Sequence, residues 1–220
     1  MDDVGTSPNR LERRKQRTRA ALIRAAQSFI AAGKLNVPVQ DISQAADVGV
    51  GSFYNHFDSK EQLFQVAVNE VLDAQGAMVD DLTESIEDPA EMFACRFRLT
   101  GRLFRGRPEE GRVVLAYGLP LITSDRGLGP RGKRDIAAAA AAGRFRVTDP
   151  ELAMAVSGGA LLGLGQLLQA QPERDDARAV DQVTENVLRL FGLSAEEAHR
   201  LCRMPLPDLE VDGGGGHAAS

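Results

Sequence analysis

Asp41-Ile42-Ser43-Gln44-Ala45-Ala46-Asp47-Val48-Gly49-Val50-Gly51-Ser52-Phe53-Tyr54-Asn55-His56-Phe57-Asp58-Ser59-Lys60-Glu61-Gln62-Leu63-Phe64 is the stretch that organises the chain. Pro38, just ahead of it, suits the start of a short helix through Gln40, Ile42, Ala45 and Ala46, since a first helical turn does not need its N–H. Asp47-Val48-Gly49 interrupts the pattern, and a second short helix is predicted to run to Phe57. Ser59 with Gln62 three positions on reads as a capping box. It opens a longer helix with Phe64, Val68, Val71 and Leu72 on one face, continuing towards Ser85. Two short helices joined by a three-residue turn and followed by a longer one describe a helix-turn-helix. Ile42, Ala46, Val48, Phe53 and Phe57 supply its apolar core, so Gly51, Ser52, Tyr54, Asn55 and His56 fall on the outward side of the second helix. Small residues let a helix approach a groove closely, while Ser, Tyr, Asn and His offer hydrogen bonds to phosphates and base edges.

Upstream, Leu22, Ala26, Phe29 and Ile30 recur at helical spacing between Arg10 and Ala32, and Gly33 is a natural stop. Met1 to Pro8 reads as a loose tail. This first helix carries Arg10, Arg13, Arg14, Lys15, Arg17, Arg19 and Arg24 against a single acid, Glu12. A basic run is ordinarily a solvated face; beside a helix-turn-helix it reads as a phosphate-contacting one. The net charge of −5 hides this asymmetry. Residues 1–60 hold nine Lys and Arg against six Asp and Glu, while the remainder holds 17 against 25. A basic head on an acidic body is the pattern of a nucleic-acid-binding module joined to a domain with another task.

The quoted stretch resembles the DNA-binding motif of the tetracycline-repressor (TetR) family over roughly Lys15 to Gln75. The combination Gly-Ser-Phe-Tyr-x-x-Phe-x-x-Lys-Glu is far more constrained than a generic helix-turn-helix pattern. The resemblance implies an all-α homodimeric regulator whose C-terminal domain binds a small molecule. It also implies that Ser52, Tyr54, Asn55 and His56 meet double-stranded operator DNA and that Lys60 meets a phosphate; Gln40, Val50 and Gly51, and Arg13, Arg14 and Arg17 of the basic helix, are read as further DNA contacts. Asp47 stands where the family's turn commonly has Gly, Gly49 where the N-cap is commonly Ser or Thr, and Gln40 where Arg is frequent. These departures bear on operator sequence rather than on family.

The remainder of the 220 residues is also helical in pattern, with 5% aromatics, no Trp and no strand alternation. Pro89 opens a segment with Phe93, Phe97 and Phe104 near one face, ending at Gly106-Arg107-Pro108. An apolar stretch from Glu109 to Ile122 is broken by Pro120; Gly127, Gly129, Pro130 and Gly132 then read as a loop before a helix over Ile136 to Ala142. Helices are expected from about Asp149 to Gln171, from about Asp175 to Phe191, and from Ser194 towards Cys202. The segment Leu152 to Gln171 is twenty residues without a charge, nominally enough to span a bilayer. Ser157, three glutamines and four glycines interrupt it and no basic flank anchors it, so it reads as a buried helix of a dimer interface. Ala155, Gly159 and Gly163 lie four apart, a ridge that permits close helix approach, with Ala179, Val183, Val187, Leu190 and Phe191 as partners.

An effector cavity is less legible. Phe93, Phe97, Phe104, Tyr117 and Leu121 can line it, with Arg96, Thr100, Arg102 or Ser157 orienting a ligand; ordinary core packing explains them equally well. The arginines between 96 and 107 read either as an anion receptor or as a solvated face. Two cysteines, Cys95 and Cys202, are too few for a disulfide framework and point to a reducing, cytoplasmic setting without a membrane. Histidine occurs only at 56, 199 and 217, so no metal or catalytic cluster is expected, nor any cofactor. The expected organisation is a tail and helix start over 1–14, a DNA-binding domain over 15–75, an effector-binding and dimerisation domain over 76–204, and a disordered tail over 205–220. The function this supports is a ligand-released, homodimeric DNA-binding repressor. A regulator of the same fold that activates, and a helical enzyme acting on an apolar small molecule, are the alternatives.

Overall fold

A computed structural model describes residues 10–124 and 126–209. Every regular element among them is helical: α1 (Arg10–Ala31), α2 (Val39–Ala45), α3 (Val50–Tyr54), α4 (Lys60–Thr83), α5 (Pro89–Gly106), α6 (Pro108–Tyr117), the 3-10 turn η1 (Leu119–Thr123), α7 (Leu128–Ala141), α8 (Pro150–Ala170), α9 (Asp176–Leu190) and α10 (Ala195–Arg203). They form two compact units, Met1–Val68 and Asn69–Ser220, divided inside α4.

The first unit is built on Leu22, Ile23, Ala26 and Ile30 of α1, Ile42 of α2, Phe53 of α3, and Leu63, Phe64, Ala67 and Val68 of α4, all buried. Between α2 and α3 the chain reverses through Asp47, the one non-glycine residue with positive φ (54°) among those described. Left-handed backbone costs most residues about 1–2 kcal/mol, and Asp is among the few that visit it routinely. Val48 N–H then donates to the Ser43 carbonyl at 3.0 Å, closing the turn. Helix α3 ends at Tyr54, three residues earlier than its pattern predicts. The N–H groups of His56 and Phe57 both donate to the Phe53 carbonyl, which tightens the last turn. Ser59 caps α4 by accepting from Gln62 N–H at 3.1 Å, while Gln62 Oε1 accepts from the Asp58 N–H at 2.6 Å.

In the second unit, acids and a serine cap four helices. Asp88 accepts from the N–H groups of Ala90 and Glu91 at the start of α5, Asp149 from those of Glu151 and Leu152 at α8, and Asp175 from that of Arg178 at α9. Ser194 accepts from Glu197 N–H at α10. The Glu197 carboxylate does not complete a capping box; it pairs with Arg200 at 2.9 Å and Arg144 at 2.7 Å, which holds its pKa down to about 2. The core centres on Phe93, whose ring lies 5.8 Å from Phe97, 5.5 Å from Phe145 and 5.5 Å from Phe191. Ile136, Val187, Leu188, Leu201 and Cys202 close around these rings.

Three expectations need correction. Helix α7 starts at Leu128, so Gly129, Pro130 and Gly132 lie in a helix and not in a loop. Pro130 sits in the first turn, where no N–H is required. A side chain at Gly129 would meet the Leu121 carbonyl at 3.0 Å, and one at Gly132 the Met154 sulfur at 2.9 Å; these glycines permit close packing. The arginines of α5 form neither a solvated face nor an open anion receptor. Arg96 pairs with Asp80 and Asp135, Arg98 and Arg102 with Asp181, Arg105 donates to the Gln171 and Pro172 carbonyls, and Arg107 pairs with Glu110. Residues 205–209, expected to be disordered, are placed: Leu206 and Leu209 pack against Val79, Cys95, Leu99 and Leu103. The rest of that expected tail, with Gly213–Gly216, and the N-terminal stretch 1–9 lie outside the described residues.

Helix α8 is the one described helix long and apolar enough to cross a membrane, and 33% of that window is buried. Its inner face carries Ala153, Ser157, Gly158, Leu164, Gly165 and Leu168; Leu152, Val156 and Leu167 are exposed. The close helix approaches occur at Gly158 and Gly165, where a side chain would meet Ile122 and Phe104 respectively. Gly159 and Gly163 have open space above them.

Truncating the central ring, Phe93→Ala, should destabilise the second unit by about 3–5 kcal/mol, because the surrounding rings cannot collapse fully into the cavity. Chemical denaturation followed by circular dichroism measures this, and a loss under about 1 kcal/mol would contradict the assigned core.

Candidate nucleic-acid interface and effector cavity

Helix α3 buries one ring and turns the rest of its surface outward. Phe53 is fully buried, which fixes the rotation of this five-residue helix. Val50 and Tyr54 are then exposed (41% and 58%), together with Gly51 and Asn55, while Ser52 and His56 are half-buried. A side chain at Gly51 would meet nothing within 4 Å, so this face is as bare as the sequence implies. Tyr54 stacks edge-on against Phe53 at 5.1 Å, which holds its ring without burying it. Gln40 on α2 and Arg13, Arg14 and Arg17 on α1 are exposed. Lys60, at the first position of α4, reaches Asn36 Oδ1 at 3.5 Å.

The electrostatics of this face are positive. His56 lies near Phe57 (6.4 Å between rings), and Arg19 sits over the Phe57 ring at 5.4 Å. Burial, followed by the cations Lys15 and Arg19, pushes the His56 imidazole below its ordinary value. It is therefore neutral at pH 7, with one ring nitrogen able to donate and the other to accept.

The second unit contains a partly open cavity of two adjoining lobes that share Thr100, Leu128, Met154, Gly158 and Leu161 in their walls. The first lobe is apolar, walled by Leu72, Leu103, Phe104, Val114, Leu121 and Ile122, with Gln75 as a polar point. The second lobe combines an aromatic wall, Phe93 and Phe97, with a charged one formed by Asp80, Arg96, Arg131 and Asp135. There Arg96 grips Asp135 with two hydrogen bonds of 2.8 and 2.9 Å and reaches Asp80 at 2.9 Å, while Arg131 Nε donates to Asp80 at 2.6 Å. Burial pushes the Asp135 carboxyl up, and the Arg96 guanidinium opposes that shift.

Of the residues named for the cavity from sequence, Thr100, Phe104 and Leu121 line the first lobe, and Phe93, Arg96, Phe97, Thr100 and Ser157 the second. Tyr117 lines neither. Asp80, Arg131 and Asp135 were missed. Asp80 and Asp135 look like solvated charges in their own helices, and Arg131 lies in what reads as a loop. Of the eight residues named for a dimer interface, Val187 and Phe191 are 4% and 2% exposed and belong to the chain's own core, so they are not part of an open surface, and Ala179 is half-buried. Leu190 is 62% exposed, Ala155 and Gly163 are exposed, and Gly159 and Val183 are half-buried.

A bacterial regulatory protein model, the tetR family, matches residues 22–67, and a tetracyclin-repressor-like C-terminal domain model matches residues 88–204. The chain belongs to the TetR family. It is therefore a DNA-binding transcriptional regulator with an N-terminal helix-turn-helix unit and a helical C-terminal domain. The crystal structure of RolR in complex with resorcinol is similar at 31% identity, covering 90% of this chain and 98% of that one, with a TM-score of 0.70. A putative fatty acid metabolism regulator of Clostridium perfringens shares the fold at 20% identity, covering 79% of this chain and 100% of that one, with a TM-score of 0.64. FadR from Bacillus subtilis in complex with stearoyl-CoA shares it at 16% identity, 80% and 99% coverage and a TM-score of 0.60. No curated protein matches the sequence.

The lowered His56 value carries a sign. The folded regulator takes up its proton at a lower pH than the unfolded chain does, so the unfolded chain binds more protons in that window. The stability of the first unit should be complete above the ordinary histidine value and fall as pH drops through the window below it. Thermal melts across pH 5–8, about the range in which histidine titrates, should show this slope in the native sequence and lose it in His56→Gln. Equal slopes in both proteins would refute the assignment.

Proposed function

We propose that this regulator is a cytoplasmic, homodimeric repressor, without catalytic activity, released from a near-palindromic operator by a small hydroxylated aromatic compound. The observation that carries the ligand class is the second lobe. Phe93 and Phe97 offer faces to a ring, while Asp80 and Asp135 can accept, and Arg96 and Arg131 donate, hydrogen bonds at its edge. RolR, whose structure holds resorcinol, is the similar protein with the highest identity of those compared above. A buried carboxylate aimed at a hydroxyl discriminates strongly, because an analogue lacking that hydroxyl leaves the acceptor unpaired.

On the DNA side, Ser52, Tyr54, Asn55 and His56, with Val50 and Gly51 allowing close approach, read the major groove. Gln40, Lys60, Arg13, Arg14 and Arg17 position the backbone. Dimerisation through the exposed apolar residues Leu152, Val156 and Leu167 of α8 and Leu190 of α9, with Ala155, Gly159, Gly163 and Val183 among them, would set two such heads on successive major grooves. Half-sites of this kind lie about 34–36 Å apart. The domain reading is a DNA-binding head over 15–75 and an effector and dimer domain over 76–204.

Selection of genomic DNA fragments by the purified protein, followed by gel shift, tests this reading. A palindromic fragment bound by the native chain should be released by resorcinol and not by benzene. Tyr54→Ala should abolish most binding while leaving the melting temperature unchanged, since Tyr54 is 58% exposed. A folded Tyr54→Ala protein that still shifts the fragment would remove Tyr54 from the interface; release by benzene and resorcinol alike would remove the hydroxyl-reading role of the charged wall.

A further inference from the structure

Met154 of α8 stands where the two lobes of the cavity adjoin, since it lines both. Two glycines make its seat. A Cβ at Gly132 of α7 would meet only Met154, its Sδ at 2.9 Å and its Cε at 3.6 Å. A Cβ at Gly158, one turn further along α8, would lie 3.0 Å from the same Cε and 3.2 Å from Ile122 Cγ1. Glycine inside a helix weakens it, and both glycines lie inside theirs. The room they leave is taken by one side chain. Methionine is unbranched, with three rotatable bonds, so a thioether resting in such a notch can swing without moving the backbone.

The chemistry differs on the two sides of Met154. In the first lobe Gln75 donates to the Glu110 carboxylate at 3.0 Å, and the Thr100 hydroxyl donates to the Arg96 carbonyl at 2.8 Å, so both donors are engaged within the chain. Arg126, the one charged residue lining that lobe among those described, is 59% exposed and pairs with Asp73 at 3.7 Å. What this lobe offers a ligand is hydrocarbon. The second lobe has the charged edge of Asp80, Arg96, Arg131 and Asp135. We propose that Met154 is a specificity-determining residue, a movable sill over which an apolar substituent on a ring in the second lobe passes into the first. The effector is then an alkyl-substituted hydroxylated aromatic compound and not a bare one. This deepens the ligand class given above and rests on it. The ring lies against Phe93 and Phe97 with its hydroxyls at the charged edge, and the alkyl chain points away from them. Each methylene buried beside Leu72, Leu103, Phe104 and Val114 raises affinity about fourfold.

Titration calorimetry on the full-length protein tests this, with resorcinol and with 5-propylresorcinol, whose chain is remote from both hydroxyls. The native protein should bind the propyl compound about tenfold or more tightly than resorcinol. Gly132→Ala raises helix propensity and meets only the end of a flexible side chain, so the variant folds; circular dichroism checks this. Its methyl pushes the thioether off the notch and should bring the affinity ratio close to one. Gly132→Ala combined with Met154→Ala should restore the ratio. A native ratio near one would overturn the proposal. So would a native-like ratio in folded Gly132→Ala, or a ratio that the folded double variant fails to restore. If the native protein binds neither compound, the hydroxyl-reading wall proposed above falls. The ratio of propylbenzene to benzene affinity, which needs only apolar walls, then decides the sill in the same three proteins.

Discussion

Asp80 is the charge on which the second unit turns. It sits on α4, yet its carboxylate is met by Arg96 of α5 and by Arg131 and Arg134 of α7. Its side chain is 31% exposed, so the carboxylate is partly withdrawn from water and pairing offsets the hydration it loses. Three helices are thereby held in register by one side chain, with Asp135 extending the same network through the second face of Arg96. Arg96 also donates from Nε to Thr83 Oγ1, so it is committed at every edge. An apolar contact would tolerate sliding; a guanidinium whose three nitrogens each meet a different side chain does not. The aromatic cluster around Phe93 supplies burial, and this network supplies position.

That network explains why a cavity persists beside well-packed rings. Along the charged wall Arg96 and Arg131 hold Asp135 and Asp80, yet Asp80 Oδ1 has no aligned hydrogen bond, so collapse of the aromatic wall would bury an unsatisfied oxygen further. The space left has one apolar face and one polar edge, the combination that orients a small molecule as well as enclosing it. The glycines of α7 and α8 belong to the same arrangement. Gly129, Gly132 and Gly158 bring η1, Met154 and Ile122 close enough to roof the space.

How much of this was legible depended on distance along the chain. The helix-turn-helix could be read because its constraints are local: a capping box at Ser59 and Gln62, a turn at Asp47, and aromatic core positions at Phe53 and Phe57. The starts of α8, α9 and α10 were equally local. The start of α7 was misread because Gly129, Pro130 and Gly132 carry the composition of a loop. Their reason is contact with Leu121 and Met154, which no local pattern records. The arginines of α5 were ambiguous for the same reason, since their partners Asp80, Asp135 and Asp181 lie in other helices. Phe93 and Phe97 could be nominated for a cavity, but their charged counterparts became visible only once α4, α5 and α7 were brought together.

The short segment after α10 has a consequence for the chemistry of Cys95. Arg98 donates to the Met204 carbonyl, which directs the chain back over α5, and Leu206 and Leu209 settle beside the thiol. Burial raises the Cys95 thiol above its ordinary value, so little of it exists as the reactive thiolate. Part of the cover over its cluster thus comes from residues that belong to no helix. Whatever shortens or lifts that segment takes Leu206 and Leu209 away from the apolar seam between α4 and α5, so the last residues of the chain are part of its packing and not an appendage.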